Sequence, residues 1–163
     1  MKSLRLMLSP LLMLAATAAL AQSDAQISYD KLKELAGSWG GKTSEGKPVQ
    51  ISFRITSNGS AIVSEIKSSE DMITMFHLDG DRLLMTHYCA TGNQPRMTGK
   101  LQADGKTVAF DFLDVTNFNR TQPGHMQQLF VTMPDANHHT EEWVFLGQDG
   151  KQHHERFEVT RTQ

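Results

Sequence analysis

A single cysteine, Cys89, stands in the 163 residues, so no disulfide can form within the chain and stability must come from packing. Charge of one sign is lacking too. Sixteen Lys and Arg against 18 Asp and Glu leave a formal net charge of −2. The cations are scattered rather than clustered, which gives nucleic-acid binding no electrostatic support. Beyond the first 20 residues there is no long apolar run. The one such run, Leu6 to Leu20, follows Lys2 and Arg5 and ends in Ala19-Leu20-Ala21. That is the layout of a secretory signal cut after Ala21, with a mature start near Gln22 and a periplasmic or secreted destination expected. Pro10 and the shortness of the run argue against a spanning helix, which needs ~20 residues. No cysteine stands at the cut, so neither a lipoprotein anchor nor membrane association after cleavage is expected. In an oxidising compartment an unpaired thiol is safest when buried, so Cys89 is expected to point inward.

No linker or second domain shows, and 22–163 reads as one domain with a packed core. Its pivot is Leu35-Ala36-Gly37-Ser38-Trp39-Gly40-Gly41, a tryptophan among glycines between a short helical pattern and a long succession of strands. The helix is expected over Ile27 to Ala36, with Ser28 as N-cap, Ile27 and Leu32 as a hydrophobic staple and Gly37 as the stop. Thereafter the apolar period is two. Asn58-Gly59 folds Val49 to Lys67 into a hairpin that pairs Ile55 with Ile62, Phe53 with Ser64 and Ile51 with Ile66. Ile51, Phe53, Ile55, Ile62 and Ile66 then share the apolar face.

A second hairpin turns in Asp79-Gly80-Asp81. It puts Met72, Thr74, Phe76, Leu78, Leu83, Met85, His87 and Cys89 on one side, and His77 and Tyr88 on the other. A third turns at Asp104-Gly105, with Met97, Leu101, Val108, Phe110 and Phe112 sharing a face. Asp114 to Met126 reads as one long irregular connection, a length that often serves as a lid or binding loop. After a turn at Met133-Pro134-Asp135 come strands His138 to Leu146 and Lys151 to Arg161. A hinge at Gln148-Asp149-Gly150 would set position 146 opposite 153 and 139 opposite 160. Nine or ten short strands in successive hairpins predict an all-β, up-and-down antiparallel barrel.

The short helix, Gly-x-Trp and hairpin meander resemble the calycins: lipocalins, fatty-acid-binding proteins and haem-binding nitrobindins. Leu35, Gly37, Trp39 and Gly41 are similar to the nitrobindin opening Gly-x-Trp-x-Gly-x-Gly, whose last glycine is Thr43 here. The lipocalin resemblance implies a basic residue near the last strand packed across the opening tryptophan, and by position this is Arg161. The nitrobindin resemblance implies that His153 or His154 could be an axial haem ligand.

His87 and Cys89, two apart on one strand, point the same way. The pair could line a ligand site, generate a thiolate, bind a soft metal, or simply be interior residues. Arg96 could grip an anion in bidentate fashion, although alternation from Met97 places it on the solvent face. His138-His139 and His153-His154 lie too far apart for one four-histidine site and read as mostly solvent-facing. No catalytic set and no metal site is expected. The expected function is an exported barrel that binds a small, mostly apolar ligand, with Phe76, Met85, His87 and Cys89 among the wall residues. A histidine-ligated haem or metal barrel and an enzyme using His87 and Cys89 are the alternatives.

Overall fold

The computed structural model describes residues 22–119 and 121–162, so the export segment read at 1–21 lies outside the described residues. Helix α1 (Asp24–Lys33) is followed by β1 (Gly37–Thr43), β2 (Pro48–Thr56), β3 (Ala61–Lys67), β4 (Asp71–Asp79) and β5 (Arg82–Tyr88). Then come β6 (Gln94–Leu101), β7 (Thr107–Thr116), β8 (Gly124–Asp135), β9 (His138–Gly147) and β10 (Gln152–Arg161). Each strand pairs with its neighbours in sequence and β10 returns to β1, so the ten strands form a closed antiparallel barrel.

The helix starts earlier than its sequence suggests. Ser23, not Ser28, is the N-cap, accepting from the Gln26 amide. Ser28 is instead buried inside the helix. Its hydroxyl donates to the Asp24 carbonyl at 2.6 Å and accepts from the Leu101 amide at 2.8 Å, tying α1 to β6. Ile27 is 41% exposed, so the expected staple with Leu32 does not form. Ala25, Tyr29, Leu32 and Leu35 supply the buried stripe. The Tyr29 hydroxyl donates to the Gly59 carbonyl at 3.0 Å. Thus α1 lies across the barrel end that carries the β2–β3, β4–β5 and β6–β7 turns.

The first hairpin keeps the expected register, Ile55 opposite Ile62 and Phe53 opposite Ser64. Asn58 and Gly59 both take positive φ, the requirement of a tight turn whose twist matches the flanking strands. Ile55 nevertheless lies at the strand's end and is 41% exposed rather than part of the core. In the second hairpin Thr74, Phe76, Leu83, Met85 and His87 are buried and Tyr88 is exposed, the division of faces expected from alternation. The stretch read as a long irregular connection is strand at both ends and irregular only in its middle. β7 runs to Thr116 and β8 begins at Gly124, leaving only 117–123 between them. Pro134 belongs to β8, and the turn into β9 falls at 136–137.

At the seam, Trp39 of β1 is the register partner of Arg161 of β10. The Trp39 indole is 2% exposed and donates to the Leu35 carbonyl at 2.8 Å. The Arg161 guanidinium lies 4.1 Å from the indole centroid and donates to the carbonyls of Glu34, Ala36 and Ala136. Gly41 is obligatory two residues on, because a Cβ there would run into the Glu158 carbonyl. Removing the indole (Trp39→Ala) is expected to cost about 3–5 kcal/mol through cavity formation. Arg161→Ala is expected to cost less, and the double variant less than the sum, because the groups touch. Denaturant titration of the three variants checks this; strict additivity would mean the stacked contact contributes nothing.

Candidate functional site

Turns in a meander alternate between ends, so the loops 44–47, 68–70, 89–93, 117–123 and 148–151 surround the end opposite α1. Below this rim the barrel is packed solid. Ile51, Ile62, Phe76, Met85, Met97 and Phe110 are each no more than 2% exposed. The Phe76 and Phe110 rings meet at 5.4 Å, and the Phe110 ring occupies the space that a Cβ on Gly99 would need. Phe76 and Met85, expected in a ligand wall, therefore lie in this core.

Near the rim the filling stops, leaving a cavity of about 340 Å³. Met72, Cys89, Met126, Trp143, Phe145 and Phe157 form its apolar lining, and Glu45, Lys47, Glu70 and Glu155 are its charged members. Cys89 thus points inward as expected, but towards the mouth, and it is half-buried rather than sealed in the core. Its sulfur accepts a hydrogen bond from the Thr91 hydroxyl at 3.2 Å. His87 is fully buried beside it, with Nδ1 2.9 Å from the Thr74 hydroxyl and its ring 4.5 Å from that of Trp143. His87 and Cys89 therefore bond to different partners, and a thiolate–imidazolium couple does not form. Arg96 is exposed, on the outer face, and held in bidentate fashion by Asp114, whose carboxyl the guanidinium draws below its usual range.

The largest departure from expectation is in β9. The β9–β10 turn places Leu146 opposite Gln152 and His139 opposite Val159, one residue away from the register read from the sequence. His139, expected at the surface, is 1% exposed and Glu141 2%. The His139 ring stands edge-on to Trp39 at 4.3 Å, and its Nε2 lies 3.5 Å from Glu141 Oε1, within ion-pair range but not aligned as a hydrogen bond. The other Glu141 oxygen accepts from the Trp143 indole at 2.9 Å. A thread of contacts thus runs from Thr74 through His87, Trp143, Glu141 and His139 to Trp39. The signal that could have found it is parity: 139, 141 and 143 share a strand face, and Trp143 marks that face as interior.

No histidine lines the mouth cavity. His153 and His154 are exposed on β10, with His154 Nδ1 3.1 Å from Glu142. Among the described residues no cluster of three or more His, Cys, Asp or Glu is placed to hold a metal ion. The residues present at the mouth therefore do not fit a histidine-ligated haem.

Burial pushes the His87 imidazole down to about 4 from an ordinary 6.5. Its neutral form is the native one, so this group's contribution is fully present above the unfolded value. As pH falls from about 6.5 towards 4, the unfolded chain takes up a proton that the native state refuses, and stability drops by up to about 3 kcal/mol. His87→Gln should make that decline shallower in denaturant titrations between those pH values. An unchanged slope would place the acid sensitivity elsewhere.

No family model matches this chain, and no curated protein matches it. Solved structures do match. Rv2717c from M. tuberculosis superposes with a TM-score of 0.59 at 12% identity, over 83% of this chain and 97% of that one. A protein of unknown function from the DUF3598 family of Nostoc punctiforme superposes with a TM-score of 0.53 at 11% identity, over 91% of this chain and 53% of that one. At such identities the likeness concerns architecture alone. The chain has the fold of a calycin-like β-barrel, ten strands closed on themselves with a helix across one end.

Proposed function

We propose that the protein is an exported barrel that takes a small, mostly apolar molecule into its mouth. The observation that carries this is the cavity of about 340 Å³, floored by Trp143, Phe157, Met72 and Met126 and open at the rim. Ligand pockets run from roughly 300 Å³ upward and are mainly apolar, with a few polar groups that fix orientation. A cavity at the lower end of that range suits a single chain or ring, not a large planar macrocycle. Two methionines suit such a floor, because an unbranched thioether adapts to the shape of what it meets. The charged segment, apolar run and Ala19-Leu20-Ala21 support export.

The test uses protein recovered from the exported fraction, where Gln22 is the expected first residue. Decanol added to this protein should change the emission of Trp143, which lines the cavity, while Trp39 is screened at the barrel's other end. Met126→Trp, which fills the space from the rim, should weaken decanol binding by about tenfold or more and leave the unfolding midpoint nearly unchanged. Binding that survives this substitution at full strength would overturn the assignment of the site.

A further inference from the structure

The wall of the mouth is not uniformly apolar, and its one inward carboxylate stands beside its aromatic rings. Glu155 is the register partner of Trp143 across the β9–β10 pair, so the two side chains share a face. It is half-buried, and Phe145 and Phe157 line the same cavity. Among the described residues its carboxylate accepts one hydrogen bond, from the exposed Ser44 hydroxyl at 3.1 Å.

Among the described residues no cation forms an ion pair with Glu155, and Lys47 feels its charge only as a secondary neighbour. The cavity's single lysine, Lys47, is bound by Glu45 at 2.6 Å. The neighbouring Arg156 faces the other side of the strand and pairs with Glu158 at 3.0 Å and with Glu142 at 3.8 Å. Glu70, the remaining charged lining residue, has no ion pair among the described residues. The lining therefore carries three carboxylates against one ammonium that is already paired.

Resting on the reading of the mouth as a binding site, we propose that its ligand class is the cationic amphiphile: an apolar chain or ring bearing a protonated or quaternary amine. The tail enters between Met72 and Met126, and the head group rests against the Glu155 carboxylate and the half-buried Phe145 ring. Aromatic faces attract cations through their quadrupole, and a partly desolvated carboxylate adds Coulomb attraction that bulk water would screen. An anionic head group would meet the same carboxylates as repulsion. A neutral one would gain only the burial of its tail.

Three probes of equal chain length separate these outcomes: decyltrimethylammonium, decanol and decanoate, each kept below its micelle concentration and followed by Trp emission or calorimetry. The ammonium should bind about tenfold more tightly than decanol, and decanoate more weakly than either. Glu155→Gln should remove most of the ammonium's advantage while leaving decanol affinity unchanged, and retained decanol binding shows that the variant is folded. Glu70→Gln should have a smaller effect in the same direction, and added salt should narrow the gap. Equal or tighter binding of decanoate, or an ammonium preference untouched by Glu155→Gln, would overturn the charge assignment while the binding site stands. Failure of all three probes to bind would overturn the binding site itself.

Discussion

The guanidinium of Arg161 does three things at once at the seam of the sheet. It stacks on the Trp39 indole at 4.1 Å, donates to the Glu34 and Ala36 carbonyls leading out of α1, and donates to Ala136 in the β8–β9 turn. The first strand, the last strand, the helix exit and a distant turn are thereby held by one planar fork of donors, a geometry that lysine could not supply. A sheet with β1 and β10 apart would have two unpaired edges, each a template for aggregation. With the seam closed, no edge remains among the ten strands. In a chain with one cysteine, no intrachain disulfide can hold these elements, and this junction ties them instead.

Closure at one end decides what the other end can do. The buried indole and the Tyr29, Leu32 and Leu35 side chains fill the base, and Phe76, Met85, Met97 and Phe110 fill the middle. Near the rim the side chains leave space, so the mouth is a cup above a packed core. Beneath it runs the thread from Thr74 through His87 and Trp143 to the Glu141–His139 pair. Buried polar groups of this kind are costly unless paired, and they fix the rotamers of the aromatic residues that they touch. Trp143 belongs both to the thread and to the cavity wall, so its ring is held in place before any ligand arrives.

Much of this was legible in the chain. Asn58-Gly59 set both the position and the register of the first hairpin, because only residues tolerant of positive φ make that turn. The inward face of β4 and β5 followed from alternation about any two-residue loop. What failed were connections whose geometry depends on distant partners. The β9–β10 turn closes through a hydrogen bond from the Gly147 amide to the Lys151 carbonyl, one residue off the loop read around Asp149-Gly150, and this shift altered every pairing between those strands. His139 looked like a solvent residue because its parity with Trp143, which marks the interior face of β9, was not used. The ends of β7 and β8 looked irregular because Val115 and Thr116 become strand by pairing with Pro95 and Gln94, a contact that the local sequence does not announce. Cavity residues such as Phe145 and Glu155 were missed for the same reason: they line the mouth only once the strands are in register.

The central claim is that the barrel is filled below and open only at its mouth, and the methionines are placed to report on it. Met72 and Met126 line the cavity, whereas Met85 and Met97 are at most 1% exposed in the core beneath it. Methyl-labelled methionine followed by NMR during titration with decanol reads both levels in one experiment. The account predicts that the Met72 and Met126 methyl signals move with saturation while those of Met85 and Met97 stay in place. Shifts at Met85 and Met97 as large as those at Met72 would show that the ligand penetrates the lumen, and would contradict a solid barrel.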